Sequence, residues 1–416
     1  MALSKAVLTL AREVEAQGGR AYLVGGWVRD RLLDRPNKDV DVEVHGLPED
    51  ALYALLQRLG KVNAVGRSFG VYKLRLADEE LDVSLPRRDS KVGPGHRGIA
   101  VAGDPHMGLD AATRRRDLTL NAMLYDPLLD QVIDLHGGLD DLRQGLLREV
   151  DPATFLEDPL RALRVVQFAA RFEFRPTPSL LALCRQSAVD ELPAERVRGE
   201  LEKLLLKSRR PGQGALLLVD TALADRLLPE LAPVLDEALA ERVDRAAALA
   251  EGEEPERLSL LYAALLSRLS PADALRTLDR LEVFTLRRVP LRARVLRALE
   301  LLNAPVDPPL PPYEDAELRR LADELPLPLL LGLRAAIDPS LPDEPARARA
   351  LGVWEGPLPR LVGGADVAAL GIPPGPRTGE LLAAVRNAQH AGRVHTREAG
   401  LALLAELHGP QDSPLY

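Results

Sequence analysis

Gly25-Gly26-Trp27-Val28-Arg29-Asp30, followed by Asp39-Val40-Asp41, is the stretch that decides the fold of this chain. In front of it, Arg20 to Val24 is a short apolar run ending at the glycines. Behind them, Trp27 to Leu33 reads as a helix that Pro36-Asn37 breaks. Asp39 to Val44 then alternates strictly, Asp-Val-Asp-Val-Glu-Val. Period two makes a half-buried strand, valines on one face and carboxylates on the other. Two glycines between a strand and a helix let the backbone approach a ligand closely and expose amides at a helix N-terminus, a seat for phosphate. Arg29, one turn into that helix, is placed to neutralise the same phosphates. Asp39 and Asp41 leave one face of the strand, and paired carboxylates beside phosphates suit Mg²⁺. Alternating acids alone would merely solvate an exposed strand face. The glycine turn and Arg29 in front of them favour a functional pair.

Working outward, Val71 to Leu76 and Glu80 to Leu85 read as two more strands, and Met1 to Gly19 as an amphipathic helix. Pro86 to Asp104, rich in Arg, Lys, Gly, Pro and His without periodicity, is expected to be a mobile basic loop. Past about residue 150 the strand signal fades. Thr154 to Phe172 carries apolar residues at helical spacing, and Ala, Leu, Arg and Glu dominate the chain beyond Phe172. The fold class is therefore α+β: a mixed head, then an all-helical remainder. A proline cluster from Pro305 to Pro312 reads as a stiff linker or an irregular crossing between helices.

Composition sets limits. A chain of 416 residues suggests two or three domains, and 46% apolar with 28% charged residues is ordinary globular composition. Aromatics at 4% argue against many base-stacking platforms. The single cysteine, Cys184, excludes an internal disulfide framework and a cysteine-based zinc site, and fits a reducing cytoplasm. The N-terminal segment lacks a signal peptide's apolar core. The run Leu325 to Leu333 is too short to span a bilayer, so neither secretion nor a membrane partner is expected. Net charge is −8, yet of residues 1–150, 151–210 and 211–416 only the middle segment has a cationic balance, with 11 Lys and Arg against 9 Asp and Glu.

Two further patterns carry chemistry. In Arg114-Arg115-Arg116-Asp117-Leu118-Thr119-Leu120-Asn121-Ala122, three adjacent arginines need anions nearby, though a solvated charge run would look the same. Asp117 and Asn121, four apart, share a helix face and can hold a ribose or order their neighbours. In Glu157-Asp158-Pro159-Leu160-Arg161-Ala162-Leu163-Arg164, proline behind two acids starts a helix, and Asp158, Arg161 and Arg164 fall at intervals of three. A carboxylate with a guanidinium offers acceptors and donors in one plane, a pattern able to pair with a base edge. An ordinary cap with an intrahelical ion pair would show the same residues.

In this order and spacing the three patterns resemble the class II tRNA nucleotidyltransferase and bacterial poly(A) polymerase family. Asp134 to Leu142, Glu195-Arg196-Val197 through Glu200 and the Pro86 to Arg97 segment extend the likeness, which covers roughly residues 20–210. A weaker one, Gly364-Ala365-Asp366 to Gly375 and Arg393 to Glu398, reaches the tail. The resemblance implies a polymerase-β-like nucleotidyltransferase head at 1–145, a helical neck at 146–212 that recognises the base, and a helical body and tail at 213–416 that bind tRNA. It implies Mg²⁺ on Asp39 and Asp41, with Asp82 as a third catalytic carboxylate. It places Gly25, Gly26, Arg29 and Asp30 at the incoming nucleotide, and Arg116, Asp117 and Asn121 at the ribose. Asp158 and Arg161 fall to the base edge and Arg164 to the triphosphate. CTP and ATP would be substrates, and the tRNA 3′ end would be extended with release of pyrophosphate. Arg196, Arg198, Lys203, Lys207, Arg209 and Arg210 are the candidate tRNA contacts near the neck.

One departure stands out. The family carries another arginine one turn beyond Arg164, where this chain has Gln167, so Arg171 or a loop residue would have to compensate. No His-Asp pair of the phosphohydrolase kind occurs, and His390 and His395 are expected at the surface. Enzymes adding only CC or only the final A, poly(A) polymerases, a small-molecule nucleotidyltransferase and an RNA-binding protein without catalysis are the rival readings.

Overall fold

The computed structural model describes residues 3–37, 39–66, 70–91 and 99–409. Contacts divide the chain into two compact units, Met1–Leu204 with Leu217–Pro229, and Leu205–Leu216 with Glu230–Tyr416. Most of the expected neck thus lies in the same unit as the head.

The first unit opens with α1 (Lys5–Ala16), whose Ala6, Val7, Leu10, Ala11 and Val14 form one buried stripe under a Ser4 cap. Then come β1 (Arg20–Val24), α2 (Gly26–Leu32), β2 (Val40–His45), α3 (Glu49–Leu59), β3 (Lys61–Gly66), β4 (Val71–Leu76) and β5 (Glu79–Ser84). After the ribbon β6 (Arg87–Lys91) and β7 (Ile99–Gly103) come α4 (Leu109–Arg114), a 3₁₀ turn at Thr119–Asn121, β8 (Leu124–Asp126), β9 (Gln131–Ile133) and α5 (Gly138–Gln144). The sheet order is β3-β4-β5-β2-β1-β8-β9, and only β2 and β5 pair in parallel. The alternation of β2 holds only at its start, where Asp41 is exposed: Val42 and Val44 are buried with Leu23, Leu81, Val83, Tyr72 and Leu74, but Glu43 and His45 are buried too. Each such apolar side chain contributes roughly 1.5–3 kcal/mol of transfer free energy.

Residues 86–104 correct the loop expectation. β6 and β7 pair antiparallel, Arg87 opposite Gly103, and Asp104 N–H donates to Pro86 O at 2.7 Å. Arg-Arg-Asp-Ser-Lys has no apolar face, so periodicity carries no signal of this strand. Residues 92–98, the centre of the family-like loop, lie outside the described residues. The helical spacing over Thr154 to Phe172 divides into α6 (Pro152–Phe155) and α7 (Leu160–Phe172), the second starting behind its N-cap residue Pro159, as the Glu157-Asp158-Pro159 pattern predicts. Next are α8 (Pro178–Gln186) and α9 (Ala194–Lys207).

α10 (Pro211–Asp220) is divided between the units and α11 (Leu223–Leu227) belongs to the first; the second holds α12 (Glu237–Leu249), α13 (Glu254–Leu266), α14 (Pro271–Arg280) and α15 (Leu291–Leu301). Beyond them lie α16 (Asp315–Leu321), α17 (Leu327–Ile337), α18 (Glu344–Ala350), α19 (Gly364–Ala369), α20 (Pro376–His390) and α21 (Arg397–His408). The apolar run near Leu325 is α17, packed on α12 and α13, and no helix is long and apolar enough to cross a membrane among the described residues. The tail motif has a structural role: Asp366 accepts from Gly363 N–H at 2.8 Å and pairs with Arg397, joining α19 to α21. His390 corrects another expectation. It is buried, its Nε2 is 3.1 Å from Asp323 Oδ2, and burial pulls its pKa down. His395 is exposed as expected.

Candidate active site

The carboxylate face of β2 and its neighbours forms the floor. Parallel register sets Asp41 directly beside Asp82, and antiparallel register sets Lys73 of β4 beside Asp82 in turn. Lys73 Nζ is 3.3 Å from Asp82 and 2.9 Å from Glu80. Crowding at the base of Asp41, though its side chain keeps a solvent-facing side, and the Asp82 carboxylate beside it push its pKa above the ordinary range, against Arg116 and Lys73. No cation stands at ion-pair distance from Asp41 among the described residues. Asp39, one step back, is exposed.

This floor opens into a cavity of about 370 Å³ lined by Val24, Asp41, Glu43, Val71, Asp82, Ser84, Arg87, Arg115, Arg116 and Arg161. The lining combines three acids with four arginines, a mixture suited to a polyanion held together with a cation. Gly25, at φ 65°, makes the turn from β1 into α2, and a side chain there would meet Arg116 Nη1 at 3.4 Å.

Behind the turn runs a buried polar chain. Asn37 donates to Asp30 Oδ2 at 2.9 Å, and Arg29 Nε to Asp30 Oδ1 at 2.8 Å. Arg29 Nη1 then donates to Asn121 Oδ1 at 2.7 Å, with the Phe172 ring 4.6 Å from the guanidinium. Asn121 Nδ2 donates to Asp117 Oδ1 at 3.0 Å, and Arg164 Nε to Asp117 Oδ2 at 2.7 Å. Every link except Asn37 and Arg164 is buried. Burial alone would raise the Asp117 carboxyl; Arg164, Asn121 and Arg161 together hold it below the usual range. The chain ties α2, the 3₁₀ turn and α7 into one rigid block, and neither Arg29 nor Asp30 lines the cavity.

α7 adds the last wall. Arg161 Nη1 donates to Thr154 O and Nη2 to Arg115 O, both at 2.6 Å, which fixes its fork at the cavity edge. Asp158 stands just before the helix, where Oδ1 accepts from Leu160 N–H and Oδ2 from Arg196 Nη2, both at 3.2 Å.

Residues 21–148 match the poly A polymerase head domain, and residues 173–235 the probable RNA and SrmB-binding site of polymerase A. The "Multifunctional CCA protein" of Stenotrophomonas maltophilia (strain K279a) is 42% identical over 219 residues, 51% of this chain and 52% of that protein. Its namesake in Xanthomonas campestris pv. campestris (strain B100) is 38% identical over 263 residues, 62% and 60%. The chain thus spans about half the length of the curated relatives it matches. The Bacillus stearothermophilus CCA-adding enzyme in complex with CTP superposes at TM-score 0.73 and 26% identity, over 98% of both chains. Residues 21–148 are thus similar to a poly A polymerase head domain, and the chain shares the fold of CCA-adding enzymes. The Thermotoga maritima CCA-adding enzyme complexed with tRNA, at TM-score 0.69, 21% identity and 97% and 96% coverage, shares the fold.

The structure brings Asp41, Asp82, Arg116 and Arg161 to one cavity and sets Gly25 at its edge. Gln167 is buried with no hydrogen-bond partner for Nε2. Arg171 lies 3.9 Å from Asp30 and over the Phe172 ring. Of the candidate tRNA contacts, Arg196 pairs with Asp158, Arg198 with Glu202 at 3.9 Å, and Lys203 with Glu200 at 2.8 Å. In the second unit Arg210 pairs with Asp244 at 3.2 Å, while Lys207 and Arg209 are exposed. Motif reading passed over Glu43, Ser84 and Arg87. The alternation of β2 continues through Glu43, so the signal for that residue was present in the sequence.

Proposed function

We propose that this chain is a nucleotidyltransferase that extends the 3′ end of tRNA with C and A from CTP and ATP, using Mg²⁺ and releasing pyrophosphate. The observation that carries the reading is the Asp41–Asp82 pair on the floor of an arginine-walled cavity. Among the described residues no three carboxylate, imidazole or thiol groups gather to enclose an ion. Two carboxylates on an open floor fit Mg²⁺, which keeps waters and substrate phosphates among its ligands. Asp41, with Asp39 and Asp82, would hold it; bound there, it supplies charge neutralisation at the phosphates and a more acidic attacking hydroxyl.

The protein's own part is positioning. Gly25 leaves room for the phosphates, Arg116 and Arg115 hold the bound nucleotide's negative charge so that the ribose hydroxyl meets the α-phosphate in line, and Arg161 and Asp158 present donors and acceptors to the base. Arg29 and Asp30, with Asn121 and Asp117, act from beneath by fixing the turn. The cationic residues near the neck and the helical second unit would hold the tRNA.

Incubation with Mg²⁺, labelled CTP or ATP, and tRNA ending at the discriminator base, at C or at CC tests the reading. Full CCA is the expected product. CC-only, A-only or extended poly(A) products would reassign the chain within its family, and no incorporation with intact tRNA binding would make it a binder. The neck assignment has its own test: Arg161→Ala should lower the preference between CTP and ATP roughly ten- to hundredfold while tRNA affinity changes far less. Unchanged selectivity in competition assays would remove Arg161 from base recognition.

A further inference from the structure

We infer that Glu43, braced by His45, is a positioning residue for nucleotide binding: it holds the Arg116 guanidinium in place beside the Gly25 turn. The inference rests on the nucleotidyltransferase reading. Glu43 projects from the same face of β2 as Asp41, two residues on, but is only 3% exposed. A carboxylate this buried needs partners for both oxygens. Oε1 lies 3.0 Å from His45 Nε2, and His45 Nδ1 lies 3.1 Å from Met107 O. The Tyr22 ring meets the imidazole edge-on at 5.5 Å. The imidazole is thereby fixed from β1, from β2 and from the segment before α4. Oε2 accepts from Arg116 Nη2 at 3.4 Å.

Arg116 has few other restraints. Its Nε is buried without a hydrogen-bond partner, and Glu43 is its one ion-pair partner among the described residues. Nη1 lies against Gly25, where no side chain intervenes. Glu43 therefore decides where this guanidinium points, and the edge left free faces the cavity. With both oxygens already engaged, Glu43 differs from Asp41, which has no such partner. Its carboxyl is held below the ordinary range: burial would raise it, and His45 and Arg116 outweigh that.

A mutant cycle on steady-state nucleotide incorporation tests this. Glu43→Ala should raise the KM for CTP about tenfold and change kcat less than about threefold, the mark of lost binding and not lost chemistry. Added to Arg116→Ala, it should change KM less than about twofold, because the two substitutions remove one interaction. Glu43→Gln, which keeps an acceptor toward Arg116, should recover most of the loss, and His45→Gln should raise KM only when Arg116 is present. The Gln variants keep the test decisive if Glu43→Ala fails to fold. Effects of Glu43→Ala and Arg116→Ala that multiply, or a fall in kcat at unchanged KM, would overturn the inference alone. An inactive wild type would overturn the parent reading and this one with it.

Discussion

Asp41→Asn should cut nucleotide incorporation by about 10²- to 10⁴-fold, as expected if it removes several kcal/mol of metal-dependent stabilisation. The substitution preserves shape and removes one charge. In the free protein that charge is unfavourable, because Asp82 stands beside it on the neighbouring strand and, among the described residues, no arginine or lysine is bonded to it. Losing it should therefore leave the fold intact or slightly more stable, and tRNA affinity within about twofold, since non-specific RNA binding depends on cations and not on this acid. Single-turnover incorporation, thermal melting and filter binding of tRNA separate the three quantities. Activity within tenfold of wild type would remove Asp41 from the metal assignment.

Asp117→Ala should act in the opposite sense, on stability first. Its carboxylate accepts from Arg164, from Asn121 and, at 2.8 Å, from Leu118 N–H. Removing it leaves the buried Asn121 amide and Leu118 N–H without this acceptor and the half-buried Arg164 without its partner, a loss of about 1–3 kcal/mol. For a unit of this size that lowers the melting temperature by roughly 2–12 °C. The pH dependence is set by its lowered pKa. A carboxylate whose folded pKa lies below the unfolded value, about 3.9, stabilises fully above that value and loses its contribution as pH falls through the folded one. Wild type and variant should differ fully at pH 7 and converge in strong acid. A difference that stays constant below pH 4, or a loss under about 1 kcal/mol, would show that Asp117 does not hold the block together.

Much of the head was legible because its chemistry is local. The alternation from Asp39 announces both a strand and its two faces, and the glycine pair announces the turn. What the sequence could not show is pairing. Nothing in Asp41 or Asp82 alone says that β2 and β5 run parallel and set the two carboxylates side by side. Arg29 looked like a phosphate ligand one turn into a helix; its burial depends on Phe172 and Asn121, far away in the chain. The ribbon of Arg87–Lys91 and Ile99–Gly103 escaped because its backbone pairing leaves no hydrophobic period, and His390 because its partner Asp323 lies on another segment.

The most direct test is a crystal structure with Mn²⁺ in place of Mg²⁺ and a non-hydrolysable CTP analogue. The account predicts anomalous density in bonding contact with Asp41 and with Asp39 or Asp82, with the triphosphate between that density and Arg116 near the Gly25 turn. Nucleotide bound elsewhere, with Asp41 facing only solvent, would contradict it.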